Sequence, residues 1–220
     1  IRIAFVHNRF PAGGAERVTM DIASYLKLHG GYEVFVYASR ISETLLNDAM
    51  LSNFTLRRIP TQFISSKRTK QIERYITEDE IDILVQPGKA IPGIERIKER
   101  TGVKTIVACH GEPFWQRYVI MHRRQKGFFR KLMWHLFNKR RYEDGTLAMR
   151  MAVARTRRDY ETSDAYTVLC QSYIHETASV LDLVPEKSHI YAIENSERPV
   201  DNVNYNKENI ILFVGRFENW

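Results

Sequence analysis

No stretch of this sequence stays apolar for the roughly 18–20 residues a membrane-crossing helix needs, so nothing in it reads as a transmembrane helix. Cysteine is nearly missing. Cys109 and Cys170 are the only two, and neither stands at metal-ligand spacing from a histidine, which excludes a zinc knot and a disulfide framework. Each closes an apolar run, so two buried, reduced thiols are expected, as suits a cytoplasmic protein. Acidic residues are missing from 113 to 142. That window carries Arg117, Arg123, Arg124, Lys126, Arg130, Lys131, Lys139, Arg140 and Arg141. The formal net charge is +7, so subtracting those nine cations leaves −2 for the rest of the chain. The basicity is a local feature with a local cause.

Glycine is also missing where the dinucleotide-binding fold requires it. The head of the chain, Ile1 to Leu28, reads as a buried strand, a glycine turn and a helix. Ile1, Ile3, Ala4, Phe5 and Val6 form an apolar run, which His7 to Pro11 breaks. Gly13 and Gly14 follow, and Ala15, Val18, Ile22 and Leu26 mark one helical face. Such a corner lets backbone N–H groups approach a ligand at a helix N-terminus. The adjacent pair is neither the G-x-G-x-x-G of a dinucleotide fold nor a P-loop, since Ala15-Glu16 stand where Lys-Ser/Thr would be. A plain strand-to-helix turn without a ligand is the competing reading.

What is present is alternation. Strands are expected at Glu33–Ala38, Phe54–Ile59, Ile81–Val85, Val103–Cys109, Ala165–Cys170, Ser188–Ile193 and Ile210–Val214. Helices are expected between them, at Ser42–Leu51, Lys67–Glu80, Ile91–Arg100, across Phe114 to about Glu161, and from Ser172 as N-cap to Leu183. Glu78-Asp79-Glu80 reads as a solvated helix end rather than a metal cluster. Strands alternating with helices give an α/β fold, a Rossmann-like parallel sheet with helices on both faces. Its ligands bind at the C-terminal strand ends, which puts Gly13-Gly14, Gln86-Pro87-Gly88 and His110-Gly111-Glu112 on one rim.

Five segments, in order, carry a family resemblance: GGAERVTMDIASYL, VACHGE, YTVLCQS, AIENSERP and IILFVGRF. Together they resemble the N-terminal half of a family 4 retaining glycosyltransferase of the GT-B fold. Asn195 is followed by Ser196 where that family usually has glycine. The resemblance implies an acceptor-side domain over residues 1–201. Residues 202–220 would be a linker and the first strand of a truncated nucleotide-sugar domain, so the isolated chain is expected to be inactive.

It also implies roles. Gly13 and Gly14 would face the cleft between domains, near donor phosphates and acceptor. His110 would contact the donor sugar, where an imidazole can orient a hydroxyl. Glu112, on the same rim, could touch acceptor hydroxyls. Arg216 would neutralise the leaving diphosphate. Glu16, in the first helical turn, reads as a dipole and capping residue. The donor would be a nucleotide-sugar, the acceptor a glycan or lipid-linked glycan, and the setting cell-surface polysaccharide or lipopolysaccharide synthesis. No catalytic metal or other cofactor is implied. The basic window, Arg117, Arg123, Arg124, Lys126, Arg130 and Lys131 above all, suits an anionic surface at the cytoplasmic face of the plasma membrane, or an acidic acceptor. A nicotinamide-dependent oxidoreductase is a second reading, with Arg40 after the second strand reading a 2′-phosphate. It lacks the glycine fingerprint. A non-catalytic nucleic-acid binder is a third, without any recognised motif; the favoured reading has no nucleic-acid partner.

Overall fold

In the computed structural model, which describes residues 1–10, 13–42, 46, 51–60, 65–109 and 147–193, the first strand outruns its apolar core. Strand β1 spans Arg2–Phe10. His7 to Phe10 do not break it, because the neighbouring strand β2, Glu33–Ile41, pairs with it as far as Phe10↔Ile41. Phe10 is fully buried and meets Phe54 edge-on at 5.4 Å. Backbone pairing and one aromatic anchor override the polarity of His7-Asn8-Arg9.

Five more strands follow: β3 Thr55–Arg58, β4 Ile83–Pro87, β5 Lys104–Ala108, β6 Ala165–Val168 and β7 Ile190–Ala192. All seven run parallel in the order β3-β2-β1-β4-β5-β6-β7. The helices among the described residues are α1 Gly14–His29, α2 Ser65–Glu78, α3 Ile94–Thr101, α4 Leu147–Thr162 and α5 Gln171–Leu181. β4 also outlasts its apolar run, taking in Gln86 and Pro87 opposite Val107 and Ala108 of β5. The midpoint of the sheet is β4, with β1 beside it.

The period of two along each strand sorts the core into two sides. Ala4, Val6, Phe35, Tyr37 and Leu84 join Ile72 and Ile76 of α2 and Ile94 and Ile97 of α3. Phe5, Val34, Val36, Ala38 and Val85 join Ala23, Met20 and Leu26 of α1 on the other side. A third cluster sets Val107, Tyr166, Val168 and Ile190 against Ile174 and Ala178 of α5. Each fully buried aliphatic side chain contributes about 1.5–3 kcal/mol.

Three local expectations change. Cys109 and Cys170 are only half-buried, and both are thiols. The N-cap of α5 is Cys170, not Ser172; its Sγ lies 3.1 Å from Ser172 Oγ. The Glu78-Asp79-Glu80 end is solvated only at its flanks, where Glu78 pairs with Arg74 and Glu80 with Arg2. Asp79 between them is buried. Its carboxylate accepts from the Tyr37 hydroxyl (2.8 Å) and from Arg57 Nε (2.8 Å), and pairs with Arg57 Nη2. Arg57 also lies over the Tyr75 ring, 5.0 Å from its centre.

Candidate functional site

Strand order reverses its sense at β1 and β4. From β1 the chain passes through α1 to β2 on one side; from β4 it passes through α3 to β5 on the other. Ligands of such sheets bind in the crevice this divergence opens at the C-terminal strand ends. A cavity of about 50 Å³ lies there. Its walls come from the end of β1 (Val6, Asn8), the end of β4 (Gln86, Pro87), the loop from Lys89 to Pro92, and the first turn of α2 (Arg68, Thr69).

Helix α1 is tied to β1 through a residue that the sequence pattern does not single out. His7 is buried between strand and helix. His7 Nε2 lies 2.9 Å from Thr19 Oγ1, whose hydroxyl is also 3.2 Å from the Ala15 carbonyl. His7 Nδ1 faces Glu16 Oε1 at 3.5 Å. The His7 hydrogen bond, aided by backbone N–H groups at Glu16 and Gly13 against the cost of burial, holds the Glu16 carboxyl below its ordinary range. Glu16 therefore does more than complement the dipole: it ties the first turn of α1 to β1. With both ring nitrogens engaged inside the protein, His7 is a positioning residue.

That tie bears on one of the two glycines and not on the other. Gly13, the N-cap of α1, has extended backbone open to any residue. A Cβ there would stand 3.0 Å from Glu16 Oε2. A Cβ on Gly14 would meet nothing within 4 Å. Gly13→Ala should therefore cost about 1–2 kcal/mol by pushing Glu16 off His7. Gly14→Ala should be neutral or stabilising by up to about 1 kcal/mol, since alanine favours helix. Urea unfolding of the two variants checks this; equal losses would refute it.

Behind the cavity, Asp159 of α4 is buried and accepts a hydrogen bond from the Ala90 N–H. Burial pushes its carboxyl up to about 6, against an ordinary 3.8. Between those values the folded state binds the extra proton, so stability falls as pH rises through that window. Asp159→Asn keeps the acceptor and removes the titration. The variant should gain stability over the parent as pH rises from 4 to 7, by at most about 3 kcal/mol. Denaturant midpoints across that range measure it; a flat difference would show no such penalty. Burial likewise raises the Tyr166 hydroxyl, which also contacts Cys109 and feels Asp159.

Of the residues expected at the rim, Gly13 and Gly14 follow β1, and the chain is described as far as Cys109 beyond β5. His110, Glu112, Arg216, and Arg117, Arg123, Arg124, Lys126, Arg130 and Lys131 of the basic window lie outside the described residues, as does the 202–220 segment. Arg40 lies within β2, paired in register with Arg9, not in a loop after it. Among the described residues, no group of three His, Cys, Asp or Glu could hold a metal, and no helix is long and apolar enough to cross a membrane.

No protein-family model and no curated protein matches the chain. Its likeness is to solved structures. The Phytolacca americana UGT2 complexed with UDP-2fluoro-glucose and pterostilbene aligns with a TM-score of 0.54 and 11% identity, over 91% of this chain and 54% of the other. TcCGT1 in complex with UDP gives 0.55 and 11%, over 93% and 53%. The glycosyltransferase from Rickettsia africae ESF-5 gives 0.52 and 12%, over 88% and 42%. The chain spans about half the length of the structures it matches. At such identities the likeness is one of fold, and the chain has the α/β architecture of the N-terminal half of a GT-B-like fold.

Proposed function

We propose that this chain is the acceptor-side half of a glycosyltransferase that takes its sugar from a nucleotide-sugar donor. The observation that carries the reading is the crevice at the ends of β1 and β4, in a domain whose fold is shared with proteins seen with UDP and UDP-2fluoro-glucose. A glycine corner at a helix N-terminus offers amides to negative charge. Gly14, free of any steric need for glycine, fits close approach by a ligand. The five segments resembling family 4 make transfer with retention to a glycan or lipid-linked glycan the finer form of the proposal. His110, Glu112 and Arg216 would serve at the donor sugar, the acceptor and the leaving diphosphate. The deciding experiment incubates the full-length protein with a panel of labelled nucleotide-sugars and a crude glycolipid fraction. Transfer from one of them supports the reading; no transfer and no nucleotide-sugar binding would refute it.

The basic window adds a location, the cytoplasmic face of the plasma membrane. Nine cations without an acid are suited to anionic lipid, each worth up to about 1 kcal/mol near such a surface. Co-sedimentation with anionic vesicles should fall with salt. It should also weaken when Arg123, Arg124, Lys126, Arg130 and Lys131 become Glu. If the chain ignores such vesicles at low salt, the window serves an acidic acceptor or a protein instead.

A further inference from the structure

The crevice holds a second feature that the fold does not need. Arg68 is buried, at 7% exposure. It donates to Asn8 Oδ1 at 2.5 Å, and no carboxylate among the described residues pairs with it. A buried cation opposite a neutral amide is costly, because no opposite charge offsets its lost hydration. Burial accordingly depresses its basicity. Beside it Gln86, at 1% exposure, accepts from the Ile91 N–H at 2.6 Å through Oε1. Its Nε2 has no hydrogen-bond partner among the described residues. Both side chains line the same cavity, and Lys89 stands at its exposed mouth.

These groups share one deficiency. Asn8 Oδ1 already accepts from Arg68, Gln86 Oε1 already accepts from Ile91, and the Thr69 hydroxyl donates to the Pro92 carbonyl (3.1 Å). The guanidinium, the Gln86 amide N–H and the Lys89 ammonium are donors only. An occupant must bring acceptors, and beside two cations it is best satisfied by negative charge. Behind the loop Asp159 accepts from the Ala90 N–H and lies within electrostatic reach of Lys89, but it does not line the cavity. The volume, about 50 Å³, exceeds the roughly 10–15 Å³ one water requires.

We propose that Arg68, Gln86 and Lys89 form an oxyanion subsite that takes the carboxylate or phosphate of an acidic acceptor sugar. The acceptor part of this inference rests on the glycosyltransferase reading; the oxyanion part does not. Specificity would follow from the buried Arg68 guanidinium and the Gln86 amide N–H, since a neutral sugar leaves the buried charge unmatched.

The test is calorimetric titration of the full-length protein with glucuronic acid, glucose 6-phosphate, glucose and inorganic phosphate. At least one acidic sugar should bind tenfold or more tightly than glucose. Arg68→Gln should remove that preference. Gln86→Glu is the second variant, chosen because it keeps the Ile91 acceptor and gives Arg68 an internal partner. It should fold at least as stably as the parent and lose the preference as well. The carboxylate and phosphate arms show which anion the site takes. Equal binding of glucose and the acidic sugars, or a preference that survives in folded Gln86→Glu, would overturn the subsite. Inorganic phosphate binding as tightly as glucose 6-phosphate would overturn its assignment to an acceptor. Anion preference in a protein that transfers from no nucleotide-sugar would sink the glycosyltransferase reading and leave the subsite standing. Transfer to neutral acceptors with no anion preference would do the reverse.

Discussion

Asp79→Ala should lower the stability of the chain by about 2–4 kcal/mol in urea unfolding, with its fold retained. Asp79 is 5% exposed and receives three donors, one from Tyr37 and two from Arg57. Arg57 is partly exposed, so truncation lets its guanidinium regain water. Tyr37 is fully buried and cannot, so its hydroxyl would be left unpaired at about 1–3 kcal/mol. Lost charge-assisted bonds account for the rest. The double variant Tyr37→Phe with Asp79→Ala should therefore lose less than the sum of the single losses. A loss below about 0.5 kcal/mol for Asp79→Ala would mean that the pair is no better than a surface salt bridge.

The second large effect concerns His110. If the proposed sugar transfer holds, His110→Ala in the full-length protein should reduce turnover on the order of ten- to a thousand-fold. A contact made to the sugar as its bond breaks would lower kcat and kcat/KM together; a contact made equally to the bound donor would raise KM alone. The melting temperature should stay within a few degrees of the parent. Unchanged turnover would leave His110 as a structural hydrogen-bond partner and move the search to the other rim residues.

The sheet was legible in the sequence because parallel strands are covered on both faces. VFVYA, ILV and IVA, the cores of β2, β4 and β5, therefore read as apolar runs. Their ends were not legible. His7 to Phe10, and Gln86 with Pro87, join strands because a neighbour across the sheet pairs with them. Asp79 was misread for the same reason: Tyr37 and Arg57 lie 42 and 22 residues away in sequence. Arg68 did leave a signal. It stands four and eight residues before Ile72 and Ile76, on the apolar stripe of α2, where a charge is out of place unless something requires it. His7 left a fainter one, a polar residue between the buried Val6 and Phe10. Gly13 and Gly14 could be found but not told apart, because the difference lies in where the Glu16 side chain reaches.

The strand order also governs how the chain can assemble as it is made. β1 and β2 pair at a separation of about thirty residues, joined by α1, and β3 adds to the outer side of β2. The other side of β1 must wait for Ile83 to Val85, since Ile3 pairs with Ile83. Until then a ribosome-bound chain carries an open, apolar strand edge through Ala4, Phe5 and Val6. From β5 onward each strand docks on the one synthesised before it, so growth proceeds outward in the order of translation. The β1 edge thus stays open until residue 87 has emerged, and a chaperone protecting that edge would be needed before then.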